Sequence, residues 1–384
     1  NSVSDDEDDH DFAGDQAETT PVQLGFAERV DDEERAEVFC SEAFPSKIGG
    51  KPVWLNPTRP LGAEKALCGV CSDPLLTLAA GQCVQLYAPE DEPAEAFHRT
   101  VYVFCCRKGT CHFRSWRDSF RVFRSQLPRD NDYYVLNEEA ADQAKAASPE
   151  NEDSATMCAV CGLRGTKQCS RCHNIAYCSR VHQIHDWTVG GHREHCAAGA
   201  SHDDAPLSLS QSSLKYLFGE YEIVSEPEGA GDDTAVLEPA DLASRDDEDS
   251  EVSVDDAFLA FQRRVSRYPQ QVLRYARVEY AQEIAEPLWV SDIGRPESGD
   301  IKACEHCGAA RTFEFQIMPQ LLNYLHIDHA AAESLDWGTL ALFTCSRNCH
   351  VAGAAYVQEV LWRQDFSSHG MQDRFQQQQQ QQQA

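Results

Sequence analysis

The chain has 384 residues, with 33 Lys+Arg against 63 Asp+Glu, a formal net charge of −30 and 17 cysteines. That length suits two or three modules, and the charge argues against a direct nucleic-acid surface, which needs clustered cations. No stretch approaches the ~20 apolar residues of a membrane-spanning helix, and Asn1 to Asp9 has neither the basic region nor the apolar core of a signal peptide, so neither a membrane role nor export is expected. Without export, so many cysteines point to reduced thiols and, where clustered, to metal.

Charge marks the modules. Residues 1–37 hold 14 acidic and 2 basic side chains, 138–153 hold 6 and 1, and 226–256 hold 13 and 1, so these three segments carry nearly all of the net charge. Poor in large apolar residues, they cannot offset the entropy of ordering. The predicted organisation is an acidic, mostly disordered tail (1–37), an N-terminal half (38–137), an acidic linker (138–155), a Cys/His-rich module (156–200), a second acidic linker (201–257), a C-terminal domain (258–366) and a Gln-rich tail (367–384).

In the first folded segment, Lys47-Ile-Gly-Gly-Lys-Pro-Val-Trp54-Leu mixes turn and strand residues, 74–87 is ambiguous between a strand pair and a helix, and Thr100-Val-Tyr-Val-Phe104 reads as a buried strand. In the last, Ser253 to Val265 carries Phe258, Leu259, Phe261 and Val265 at helical spacing. Pro269 to Tyr275 reads as a second short helix, and Leu340-Ala-Leu-Phe343 as an apolar strand running into cysteine. The predicted class is α+β: a β-rich zinc-binding core built from the N- and C-terminal segments, with a small finger inserted between them.

The densest cysteine set is Cys158, Cys161, Cys169, Cys172, Cys178, His182, His192 and Cys196, four close pairs within 39 residues. Thiolate and imidazole suit Zn²⁺, and eight ligands supply two tetrahedral sites. An interleaved assignment gives Cys158, Cys161, Cys178 and His182 to one ion, and Cys169, Cys172, His192 and Cys196 to the other. His185 and His195 lie close enough to compete. The segment is too short to hold much core, so metal binding of ~10–16 kcal/mol per site can supply its folding energy.

The other two sets echo each other. Cys68-x2-Cys71 precedes Phe104-Cys-Cys106-x4-Cys111, and Cys304-x2-Cys307 precedes Phe343-Thr-Cys345-x3-Cys349. Aligning Phe104 with Phe343 selects Cys106 over Cys105. This weak repeat reads as two zinc-ribbon-like, four-thiolate structural sites, holding one or two further ions, with buried free thiols as the alternative. Cys40, Cys83 and Cys105 remain as small core residues.

No Gly-x-Ser-x-Gly, His-Glu-x-x-His or dinucleotide fingerprint occurs, and Ile48-Gly-Gly-Lys51 lacks the spacing of a phosphate loop, so no enzyme is expected.

The eight ligands of the middle set, with Tyr177 before the fifth, resemble a MYND zinc finger, a module that in several families captures Pro- and Leu-containing peptides. Phe44-Pro-Ser-Lys-Ile-Gly-Gly-Lys-Pro-Val-Trp-Leu55, Phe97-His-Arg-Thr-Val-Tyr-Val-Phe104 and Phe123-Arg-Ser-Gln-Leu-Pro-Arg129 look like the N-terminal part of the programmed cell death protein 2 family. Arg311-Thr-Phe-Glu-Phe-Gln-Ile-Met-Pro-Gln320 and Leu335-Asp-Trp-Gly-Thr-Leu340 are similar to its C-terminal domain. The resemblance implies a dedicated chaperone, cytoplasmic and nuclear, that binds a newly made, basic small-subunit ribosomal protein and supports ribosome biogenesis. The alternative is a MYND-based transcriptional or signalling adaptor acting in cell proliferation or death. Acidic segments suit a basic client, and Ser4, Ser244 and Ser250 lie beside acidic residues where phosphate could be added.

Overall fold

The computed structural model describes residues 22–72, 75, 80–134, 156–196, 217–229, 256–277, 286–325, 327 and 334–366. Readings made for 1–21, 135–155, 197–216, 230–255 and 367–384, including the three serines, lie outside these residues.

The strands are β1 (Gln23–Glu28), β2 (Lys47–Ile48), β3 (Ala80–Tyr87), β4 (His98–Cys106), β5 (Phe120–Leu127), β6 (Lys167–Gln168), β7 (Ala176–Tyr177), β8 (Tyr221–Pro227), β9 (Gln271–Tyr275), β10 (Arg311–Ile317), β11 (Thr339–Cys345) and β12 (Val357–Gln364). The helices are α1 (Arg35–Val38), α2 (Gly109–Ser119), α3 (Arg180–Thr188), α4 (His192–His195) and α5 (Asp256–Arg267). Ten strands close into one barrel in the order β1-β8-β2-β3-β4-β5-β12-β11-β10-β9, every neighbouring pair antiparallel. Closure was not anticipated from the sequence.

Alternation along each strand sets the two faces. On β4, Val101, Val103 and Cys105 point into the barrel core with Val84, Leu86, Phe315, Leu340 and Leu342, while Tyr102, Phe104 and Cys106 point outward. On β11, Ala341 and Phe343 do the same under Trp362.

The two halves correspond strand by strand. β2 to β5 match β9 to β12, and a β-bulge falls at the same place in each, between Gln82 and Val84 on β3 and between Phe313 and Phe315 on β10. β1 precedes the first half yet pairs with β9, the first strand of the second, while β8 precedes the second half yet pairs with β2. Each half thus gives its leading strand to the other, and β1 and β8 pair where they meet.

Three readings are corrected. β1 and α1 lie in the predicted disordered tail and β8 in the predicted second linker: acidic composition is real there, but Leu24 and Ile223 are buried and the backbone is paired on both sides. The expected helix at 269–275 is β9, because an apolar run this short carries no decisive period and its partners β1 and β10 settle the matter. The ambiguity at 74–87 resolves as the strand β3, whereas the helix expected from Ser253 is α5, beginning at Asp256 among the described residues.

Candidate metal centres

The structure brings the sixteen predicted ligands together as four quartets: Cys68, Cys71, Cys106 and Cys111; Cys158, Cys161, Cys178 and His182; Cys169, Cys172, His192 and Cys196; Cys304, Cys307, Cys345 and Cys349. In each, all four ligand atoms lie within 4.8 Å of one another. The competing His185 and His195 are in none of them. Cys105 is fully buried in the barrel core, and Cys40 is half-buried with its thiol on the Glu37 carbonyl.

One local device recurs. In all four Cys-x2-Cys turns the residue after the second cysteine has left-handed backbone and donates its N–H to the first cysteine's carbonyl: Ser72 to Cys68, Gly162 to Cys158, His173 to Cys169 and Gly308 to Cys304, at 2.8–2.9 Å. The turn aims both sulfurs into one space. Glycine suits that conformation at 162 and 308, while Ser72 and His173 adopt it at φ of 58° and 59°. The remaining ligands come from element ends. Ser179 caps α3 by accepting the His182 N–H, which sets Cys178 and His182 on one side of its first turn. α4 presents His192 and Cys196 in the same i, i+4 relation.

Distances test whether a metal fits. A Zn–S bond of about 2.3 Å places tetrahedral sulfurs about 3.8 Å apart, whereas a disulfide holds them at about 2.05 Å. Here Cys161–Cys178 is 3.6 Å, Cys169–Cys196 3.8 Å, Cys71–Cys106 4.0 Å, and Cys304–Cys349 and Cys307–Cys345 3.5 Å. His182 Nδ1 is 3.2 Å from Cys178 Sγ, and His192 Nε2 is 3.6 Å from Cys172 Sγ, which identifies the facing ring nitrogens. Donor type, spacing and burial therefore fit a tetrahedral, thiolate-loving cation.

Thiol acidity agrees. In each quartet one thiol is favoured as the thiolate and at least one other is raised. A backbone N–H from Ala309 brings Cys307 down to about 6, while burial pushes up Cys345 and Cys349. Burial opposes ionisation at Cys169, but the N–H groups of Cys172 and Arg171 and the His192 ring outweigh it and bring that thiol to about 6. Burial raises Cys196 in the same quartet to about 11. Only a cation lets four such groups ionise together.

The finger is seated on the barrel. Trp54 donates its indole N–H to the Gly162 carbonyl at 2.6 Å, Arg164 N–H reaches the Leu61 carbonyl at 3.0 Å, and Lys51 donates to the Ala159 carbonyl. Trp54 also packs on Tyr102 and Tyr356, so the outward aromatic face of β4 and three metal quartets share one apolar cluster. Lys51 is half-buried with Cys158 and Cys161 nearby; burial lowers its pKa, and negative charge on those sulfurs partly restores it.

A second pair of positions went unrecognised in the sequence. Gln85 accepts from the Val53 N–H and donates to its carbonyl, both at 3.0 Å, and Gln316 does the same to Leu288 at 2.6 and 3.1 Å. The clamped segments are Pro52-Val-Trp54 and Pro287-Leu-Trp289, so the internal repeat extends well beyond the cysteines.

Two domain signatures flank a finger in this chain. Residues 21–141 match the programmed cell death protein 2 N-terminal domain, 158–196 the MYND finger, and 255–365 the programmed cell death protein 2 C-terminal putative domain. The programmed cell death protein 2 of Bos taurus is 38% identical over 363 residues, covering 90% of this chain and 97% of the relative. The chain belongs to the programmed cell death protein 2 family. The Mus musculus protein is 37% identical over 363 residues, again 90% of this chain and 96% of the relative, and a programmed cell death protein 2-like protein of Gallus gallus is 28% identical over 347 residues, 79% of this chain and 85% of the relative. No solved structure matches the chain. Within the family frame, the quartets divide evenly: two build the MYND finger, one closes the β3–β4 side of the N-terminal domain, and one closes the β10–β11 side of the C-terminal domain.

Proposed function

We propose that this family member is a non-enzymatic, zinc-binding chaperone that holds a newly made, basic small-subunit ribosomal protein in cytoplasm and nucleus and supports ribosome biogenesis. The observation that carries the reading is the closure of the four quartets. Each has a full set of four protein donors and no open position, so four Zn²⁺ ions would serve architecture and leave binding as the work of the surface. A basic client is supported by the acidic balance of the chain, which favours capture and masks the client from RNA.

The finger favours a second reading. α3 turns His182 and His185 inward and exposes Val181 and Ile184, with Val189 just beyond, an apolar strip where an adaptor would take a Pro- or Leu-containing peptide. Co-expression of the full chain with each small-subunit ribosomal protein in turn tests both. The chaperone reading expects one such protein to become soluble and to stay bound when Val181 and Ile184 are changed to Ser. Solubilisation of none of them overturns it, and binding lost in V181S/I184S moves the site to the finger.

A further inference from the structure

Among the described residues the ring of strands is thinnest at β2. β9 joins β1 to β10 along Gln271–Tyr275, whereas its counterpart β2 joins β8 to β3 through Lys47 and Ile48 alone. The chain leaves the wall at Pro45, and Phe44, with a φ of 47°, stacks its ring outside on Tyr87 and His98. Ser46 still bridges, accepting the Ile223 N–H on its carbonyl and the Tyr87 N–H on its hydroxyl. Two residues further along β8, Ser225 directs its N–H and carbonyl to the same side as Ile223, and among the described residues no strand meets them there. Between Ser225 and the end of β3 lies a cavity of about 220 Å³, lined by Leu24, Leu86, Leu273 and Tyr275. Its rim is acidic. Glu226 follows Ser225, and Asp91 and Glu92 follow Pro89; all three are exposed.

We propose that this gap receives an extended, basic segment of the client, which runs beside β8 as an added strand and places one apolar side chain in the cavity. The proposal deepens the chaperone reading and rests on it. Backbone pairing gives affinity that tolerates sequence change, a cavity of this size selects a Leu-, Ile- or Met-sized anchor, and the three carboxylates select Lys or Arg on either side. Among the described residues no strand continues β2 along this side of β8, so a strand enters here without displacing another.

The test uses the full chain and the ribosomal protein that it solubilises in the co-expression series. A photo-reactive phenylalanine at position 225 should cross-link to a basic stretch of that client, and one at position 293, where Ile293 is exposed on another face, should not. The charge reversal D91K/E92K/E226K should weaken client binding about tenfold or more with the melting temperature unchanged. S225P, which removes the N–H facing the gap, should weaken it similarly, and the charge reversal decides the matter if S225P fails to fold. Binding unchanged in D91K/E92K/E226K, with no cross-link from position 225 while the wild type still holds its client, overturns the gap and leaves the chaperone reading standing. A wild-type chain that solubilises no ribosomal protein overturns both.

Discussion

Arg99 on β4 and Glu314 on β10 form a two-pronged ion pair at 2.5 and 2.6 Å with both side chains fully buried, tying the two halves of the barrel across its interior. The bulge in β10 brings Glu314 into this position, and Thr344 and Arg277 complete its partners.

Removing one member leaves the other charged and buried. R99A or E314A should therefore cost about 3–5 kcal/mol, whereas the double change R99M/E314L should recover most of the loss. Urea unfolding of the three variants measures this, and additive losses in the double variant would show that the pair acts through something other than charge.

Acid should close the difference between wild type and E314Q. Burial opposes ionisation of Glu314, but Arg99 and Arg277 outweigh it and hold the carboxyl at about 2. The folded pKa lies below the unfolded value of about 4.3, so the stabilisation is complete above that value and is lost as pH falls toward 2. Glu228, held at about 2 by Arg264 and Arg274 against its own burial, adds in the same direction and is present in both proteins. Metal release in acid affects both alike, so urea midpoints for the two proteins should converge between pH 5 and pH 3. A gap that stays constant over that range would mean Glu314 is not ionised in the folded state.

The cysteine spacing made the metal quartets legible, because ligand chemistry is local and Cys-x2-Cys turns carry their own geometry. Even the choice of Cys106 over Cys105 followed from aligning Phe104 with Phe343, which the structure places at matching points of β4 and β11. Barrel closure was not legible. β1 and β8 sit in acidic surroundings, and their partners lie far away in sequence: Leu24 pairs with Arg274, and Glu222 with Lys47. Composition averages over such short strands and hides them. The Gln85 and Gln316 clamps were missed for another reason. Their signal, Pro-x-Trp some sixteen or seventeen residues before each Cys-x2-Cys, was in plain view at Pro52 and Pro287, but only the cysteines were aligned.

Metal content should separate finger from barrel. C169S and C304S should each remove one equivalent of zinc, read by atomic emission on the purified full chain. C169S should expose only 158–196 to hydrogen exchange, because its quartet lies within the finger. C304S should lower the melting point of the whole barrel, because Cys345 ends β11 and the quartet ties that strand to the loop before β10. Uniform unfolding in C169S would show that the finger is structurally inseparable from the barrel.

Finger docking should depend on Trp54. That side chain is 3% exposed and joins Gly162 to Tyr102 and Tyr356, so W54A should cost about 3–5 kcal/mol. The loss should appear first as fast exchange and proteolysis in 158–196 with zinc retained, since the finger's own eight ligands are untouched. K51M should loosen the same contact more mildly, through the lost bond to the Ala159 carbonyl. Unchanged protection of the finger in W54A would place its anchorage elsewhere.

Truncation provides the sharpest check on strand exchange. Deleting 1–20 should leave stability unchanged, while deleting 1–28 should remove β1 and with it the partner of both β8 and β9. Leu24 is fully buried, and Gly25 sits so close to Ile223 that an added Cβ would meet its Cγ2 at 2.8 Å, so this strand fills a fitted place in the wall. Its loss exposes two long unpaired strand edges, the condition that drives aggregation. The shorter deletion should therefore melt as the full chain does, and the longer one should be insoluble or lack a cooperative transition. A soluble, cooperatively melting 29–384 fragment would show that the halves close without exchanging their leading strands.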